Sequence, residues 1–235
     1  MAFTGGFIIK VTIIWGVLFI TAWLGNSVVE KFTQKLPPKS LLRATDTAVH
    51  GLIGLFSFWL VYLLCPDLIL DMSYLLSCLG FEHSWSQQRI AQINSIFSLG
   101  VAFMVSCIVD LDHVFKDIFH MIIGGQRVPW KRGFLHFSLP PLIFTLVMYI
   151  SAVVSHSMWC LKLGTLSVVC IISHHIRDGM NHGLWLQPLG MSPQLPWWVY
   201  ICITQFLPLG ISAIVSVLLL KMKPSVSLSS ERYIV

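Results

Sequence analysis

The histidines and aspartates of this chain recur at spacings that can bring them together. Asp46 and His50 are four residues apart, so on a helix they share a face. Asp110 and His113 are three apart and can do the same, with Asp112 between them. His136 follows alone, and then His174, His175, Asp178 and His182, the last three at i, i+3, i+7 from His175. Imidazole and carboxylate donors in combination are what a hydrolytic zinc, manganese or iron site uses. Each group also has a plainer reading. Asp46 could cap a helix N-terminus. Asp110 and Asp112 could be solvated loop residues, and His136 alone an interfacial histidine. His83, His120 and His156 read as surface residues.

What must position these groups is a set of membrane helices. The 235 residues are 56% hydrophobic, 12% aromatic and only 11% charged, with a mean hydropathy of +0.79. A soluble domain carries roughly a quarter charged residues, so this chain could not cover a water-facing surface. Disorder is excluded by the same numbers. Apolar blocks near 11–29, 47–64, 90–109, 135–154, 158–176 and 197–220 predict an all-α polytopic membrane bundle of about six transmembrane helices. They form one domain over 1–220, followed by a polar tail, 221–235. In the first block, the small residues Ala22, Gly25 and Ser27 also admit a signal-peptide reading. The fifth block is short with Lys162 near its start, and Pro208 predicts a kink in the sixth. Residues 68–70 and 74–81 read as an interfacial segment.

Six spans that alternate in direction place seven of the nine histidines, all but His83 and His156, on one side. Ionisable groups at helix ends in a membrane are costly unless paired, hydrated or bound to a ligand. Convergence therefore favours a shared site. The net charge of +5 sits beside the apolar blocks, as topology signals do, and not on one soluble face. The bilayer, and not nucleic acid, is the expected partner. Nine cations flank the site side against six on the other, which puts the site in the cytoplasm, although Lys221 and Lys223 oppose that orientation. No signal identifies the organelle, and the endoplasmic reticulum stands as the default. Cys65 and Cys78 share a loop and could pair if it faces an oxidising compartment, whereas Cys107, Cys170 and Cys202 read as packing residues.

The runs Asp110–His113, Arg132–His136 and His174–Asp178, with 183–188 after them, resemble the YdjM-like family, described as predicted membrane-bound metal-dependent hydrolases. The likeness keeps the order of the motifs from Asp46 to Pro188. The runs Asp46–His50, Arg132–His136 and Ser173–Trp185 are closer still to the transmembrane protein 267 family of vertebrates. The resemblance implies His50, Asp110, Asp112, His113, His136, His174 or His175, and Asp178 as site residues. Lys131 stands where the bacterial pattern has a first His, Phe137 where it has Ser, and Val109 where it has Pro.

The expected activity is metal-dependent hydrolysis of a lipid or other amphiphile. His50, Asp110, His113, His136, His174, His175 and Asp178 would hold a divalent ion. Asp46, Asp112 or Asp178 would move protons, and Arg132 and Arg177, with Arg127 and Lys131 nearby, would hold an anionic head group. The rival readings are a metal-binding protein or scaffold without turnover, and an ion- or proton-coupled transporter. A transporter should carry polar groups at mid-membrane, and here the span centres are clean apart from Asn94, Gln205 and small hydroxyls.

Overall fold

Each apolar block becomes a helix, because in lipid only a helix satisfies its own backbone. A computed structural model of the chain describes residues 5–34, 39–72, 86–111, 122, 134–186 and 189–222. Among these residues are six α-helices: α1 Gly5–Gln34, α2 Lys39–Leu64, α3 Gln87–Ile108, α4 Leu139–Ser155, α5 Met158–His182 and α6 Trp197–Met222. The protein is a polytopic helical bundle. Five of the helices are long and apolar enough to cross a bilayer, and α4 is a shorter apolar helix of 17 residues.

The polarity of the bundle is that of a membrane protein. Ile96, Ile143, Val154 and Leu220 point outward, while Ser106, Thr165, Ser173 and Gln205 are buried. Small residues at the contacts let the backbones approach. A Cβ on Gly54 of α2 would lie 2.6 Å from the Cβ and Oγ of Ser106 on α3, so no side chain fits there. The apolar core lies between α2, α5 and α6, around Phe58, Val61, Leu161, Val169 and Val215. α1 belongs to the bundle: Leu18 packs with Val49 and Ile53 of α2, and the Trp15 indole donates to the Gln205 carbonyl of α6.

Contacts at the two ends establish the alternation. At one end Arg177 of α5 meets Asn26 of α1 and Asp46 of α2, and His174 of α5 meets Ser106 of α3. At the other end His156, just after α4, meets the last residue of α6, Met222, and Cys65, just after α2, contacts Ser212 and Ser216 of α6.

Three sequence expectations need correction. The fourth helix begins at Leu139, not near 135, because Pro140 and Pro141 suit a first helical turn and disfavour helix before them. Residues Phe134–His136 instead form a short 3-10 turn. The fifth helix is not short. It runs to His182 and ends at Gly183, whose φ of +79° no other residue adopts easily. Leu68 and Leu70 are buried in the bundle and do not form an interfacial segment. There the Ser98 hydroxyl accepts from the Leu70 amide, and the Asn94 side chain accepts from that of Met72. α6 stays helical through Pro208. Cys78, 74–81, the tail from 223 and the loop carrying Lys131 lie outside the described residues.

Candidate metal centre

The polar groups gather where α2, α3 and α5 meet the turn before α4. On α5, His174 and Asp178 are one turn apart and face inward, and His174 is 0% exposed. α2 supplies His50, whose ring stacks on that of His174 with centroids 3.7 Å apart. α3 delivers Asp110 just past its last residue. The 3-10 turn carries His136, edge-on to His174 at 5.8 Å.

The rings and carboxylates of the cluster lie within a few ångströms of one another. His50 Nε2 lies 3.4 Å from Asp178 Oδ1, and His136 Nε2 lies 3.4 Å from Asp178 Oδ2. His174 Nε2 is 3.6 Å from Asp110 Oδ1 and 3.8 Å from Asp178 Oδ2. A good N–H···O bond is about 2.9 Å, so these contacts are long. Around zinc with bonds of about 2.1 Å, tetrahedral donor atoms sit about 3.4 Å apart. Two sets have all their donor atoms within 4.8 Å of one another, a looser spacing than that, His50 with Asp110 and His174, and His136 with His174 and Asp178.

The surroundings prepare these donors. His174 Nδ1 lies 2.8 Å from the Ser106 carbonyl and so donates to it, leaving Nε2 with its lone pair in the cluster. That Nε2 is buried and has no hydrogen-bond partner, and neither has Asp110 Oδ2. Burial pushes the Asp110 carboxyl above its ordinary range, while His50 and the Thr47 hydroxyl pull it back. A cation between these groups would offset that cost.

Other expected site residues do different work. His175 donates from Nε2 to the Leu135 carbonyl at 2.9 Å, which pins the turn bearing His136, and it lies outside both donor sets. Arg177, expected at a head group, is 1% exposed and forms an ion pair with Asp46. Its Nε also donates to Asn26 Oδ1 at 3.1 Å. Asp46 is 4.0 Å from His50 Nε2, and its side chain is 37% exposed. Asp112, His113 and Arg132 lie outside the described residues. His182, in the last turn of α5, is exposed.

Beyond α5 the chain folds back over the centre. The Ser138 amide donates to the Trp185 carbonyl, and the Leu195 amide to that of Gly179. The Phe137 ring meets Trp185 edge-on at 5.0 Å. The run from Ser173 to Trp185 therefore supplies donors, a clamp and a cover in one stretch.

Sequence reasoning missed Ser106 and Asn26. Ser106 is one helical turn before Asp110 and so on its face. Asn26 is the one side-chain amide within the apolar run 11–29 of α1, a signal for a buried partner.

Fold and site together define a multi-pass helical membrane protein with a buried His/Asp cluster at one end of the bundle. The chain is similar to transmembrane protein 267 of Bos taurus, 34% identical over 129 residues that cover 53% of this chain and 59% of that protein. Transmembrane protein 267 of Danio rerio is 28% identical over 165 residues, covering 69% of this chain and 62% of the relative. That of Mus musculus is 28% identical over 170 residues, covering 71% and 66%. The chain thus spans about three fifths of the length of the first curated relatives it matches. Their shared name specifies a membrane location and no activity. No family model matches, and the YdjM-like relationship has no support from these comparisons. No solved structure matches.

Proposed function

We propose that this protein holds one divalent cation, zinc, manganese or iron, among His50, Asp110, His136, His174 and Asp178, and hydrolyses a lipid or other amphiphile. The observation that carries this reading is the bare, buried Nε2 of His174 beside two carboxylates at 3.6 and 3.8 Å. Because Nδ1 of His174 is engaged by Ser106, its ring offers one donor, and both donor sets share it. The two sets are therefore alternative positions for one ion.

Bound there, such an ion would supply Lewis acidity and lower the pKa of a water towards neutrality. The protein's own groups do the rest. Asp178 lies between His50 and His136, 3.4 Å from Nε2 of each. His175 holds the turn that presents His136. Asp46, the partly exposed carboxylate at the edge of the cluster and paired with Arg177, is placed to accept a proton from water. Charge on that carboxylate is kept in place by the guanidinium behind it.

The test is hydrolysis of a lipid panel by the purified protein in liposomes, with and without chelation. Product formation that stops on chelation and returns with metal is the expected result. A metal-loaded, folded protein that hydrolyses no lipid in the panel would leave the scaffold reading, and ion flux into the same liposomes would favour a transporter.

A further inference from the structure

Asp46 and Asp110 also line a groove of about 550 Å³ between α2 and α3. Its lining carries Arg43, Asp46, Thr47 and Asp110 with Leu111 beside it, and runs back along α3 through Ile108 to Met104 and Phe103, about two turns from Asp110. Met104 is 62% exposed on the outer surface of α3, so a groove beside it would open sideways towards lipid. Its volume is in the range of small-molecule sites. The cation at its mouth is Arg43, whereas Arg177 lies buried behind Asp46 and cannot reach a ligand there.

We propose that this groove admits a membrane lipid with a phosphate head group, sideways from the bilayer. The acyl chain lies along Phe103, Met104 and Ile108, and the phosphate reaches Arg43 with its ester beside Asp110. The gradient of the lining from aliphatic to charged matches an amphiphile and neither a wholly apolar nor a wholly polar ligand. The charges also discriminate. Asp46 is neutralised by Arg177, which leaves Asp110 as the other carboxylate among the described residues of the lining. A divalent cation beside Asp110 would offset that carboxylate and offer phosphate a counter-charge. The proposal therefore rests on the metal reading above, and it moves head-group recognition from Arg177 to Arg43.

The test uses full-length, metal-loaded protein in phosphatidylcholine nanodiscs with a phosphatidic acid probe carrying a diazirine in its acyl chain. Photolabelling should map to 103–108 of α3 and be displaced by unlabelled phosphatidic acid. Arg43→Gln should weaken labelling about tenfold, the worth of one charge-assisted contact. Met104→Trp, which fills the apolar end, should abolish it, and Leu142→Trp on the outer face of α4 should not change it. Labelling spread over α1 and α4 and insensitive to Arg43→Gln and Met104→Trp would overturn the proposal. Displacement by diacylglycerol, or by inorganic phosphate alone, would overturn the phospholipid as occupant. Metal content is measured on every sample. Stoichiometric metal without groove labelling sinks the groove alone, whereas wild-type protein that binds no metal sinks both the function proposed above and this extension.

Discussion

The imidazole of His174 donates its Nδ1 proton to the carbonyl of Ser106 at 2.8 Å, and this one bond fixes which nitrogen faces the cluster. Ser106 is itself tied to two helices. Its hydroxyl lies 2.9 Å from the carbonyl of His50 and 3.1 Å from that of Cys170. α2, α3 and α5 are therefore locked together within a turn of the donors they present.

That lock depends on the missing side chain of Gly54. Gly54→Ala would place a methyl 2.6 Å from Ser106 and push α2 from α3. Overpacking of this kind costs about 1–3 kcal/mol. Thermal unfolding in detergent should register that loss, and metal content should fall with it as His50 leaves the His174 ring. Gly100, which has open space around it within α3, is the control: Gly100→Ala should leave metal content unchanged and should not lower the melting temperature, because alanine favours helix over glycine.

The ion pair of Arg177 with Asp46 predicts an asymmetry. Asp46→Asn leaves the guanidinium buried without its counter-charge, at a cost of about 3 kcal/mol, the low end for such pairs because Asp46 is partly exposed. Arg177→Lys should also destabilise, because an ammonium cannot hold Asn26 and Asp46 together in the guanidinium geometry. Denaturation of the two variants beside the double variant Asp46→Asn/Arg177→Met should show the double change to be milder than Asp46→Asn.

Asp110 predicts opposite pH slopes with and without metal. Burial raises its carboxyl, so the metal-free fold disfavours the charged form, and the stability tied to the neutral form is lost as pH rises through the raised value. Metal needs the carboxylate, so protons compete and affinity falls as pH falls. The difference between wild type and Asp110→Asn isolates this group from the histidines. In melts between about pH 8 and about pH 5, which bracket the histidine and upper carboxylate range, that difference should change sign on adding metal. A difference that does not vary with pH would contradict the assignment of Asp110 as a ligand.

Much of this was legible in the sequence, and what was not has a common physical cause. Helix type and number followed from apolar blocks, because lipid demands a long apolar surface. The same criterion ended the fifth helix at residue 176, since His174, His175, Arg177 and Asp178 are polar. They are helical and turned into the bundle because their partners lie on other elements and not in lipid, which hydropathy cannot register. Spacing grouped His175 with Asp178 and His182, yet it is His174 that meets Asp178: adjacent helical residues point about 100° apart, and His175 turns to the Leu135 carbonyl. Arg177 read as a surface cation for the same reason: its partners Asn26 and Asp46 lie on other helices.

The most direct test of the central claim is the metal content of purified protein, measured by mass spectrometry on wild type, His174→Ala and Asp178→Ala, each verified as folded by its helical circular dichroism. The account predicts close to one zinc, manganese or iron per wild-type chain and a loss of most of it in both variants. A folded wild type with only trace metal, or variants that retain the full complement, would contradict it.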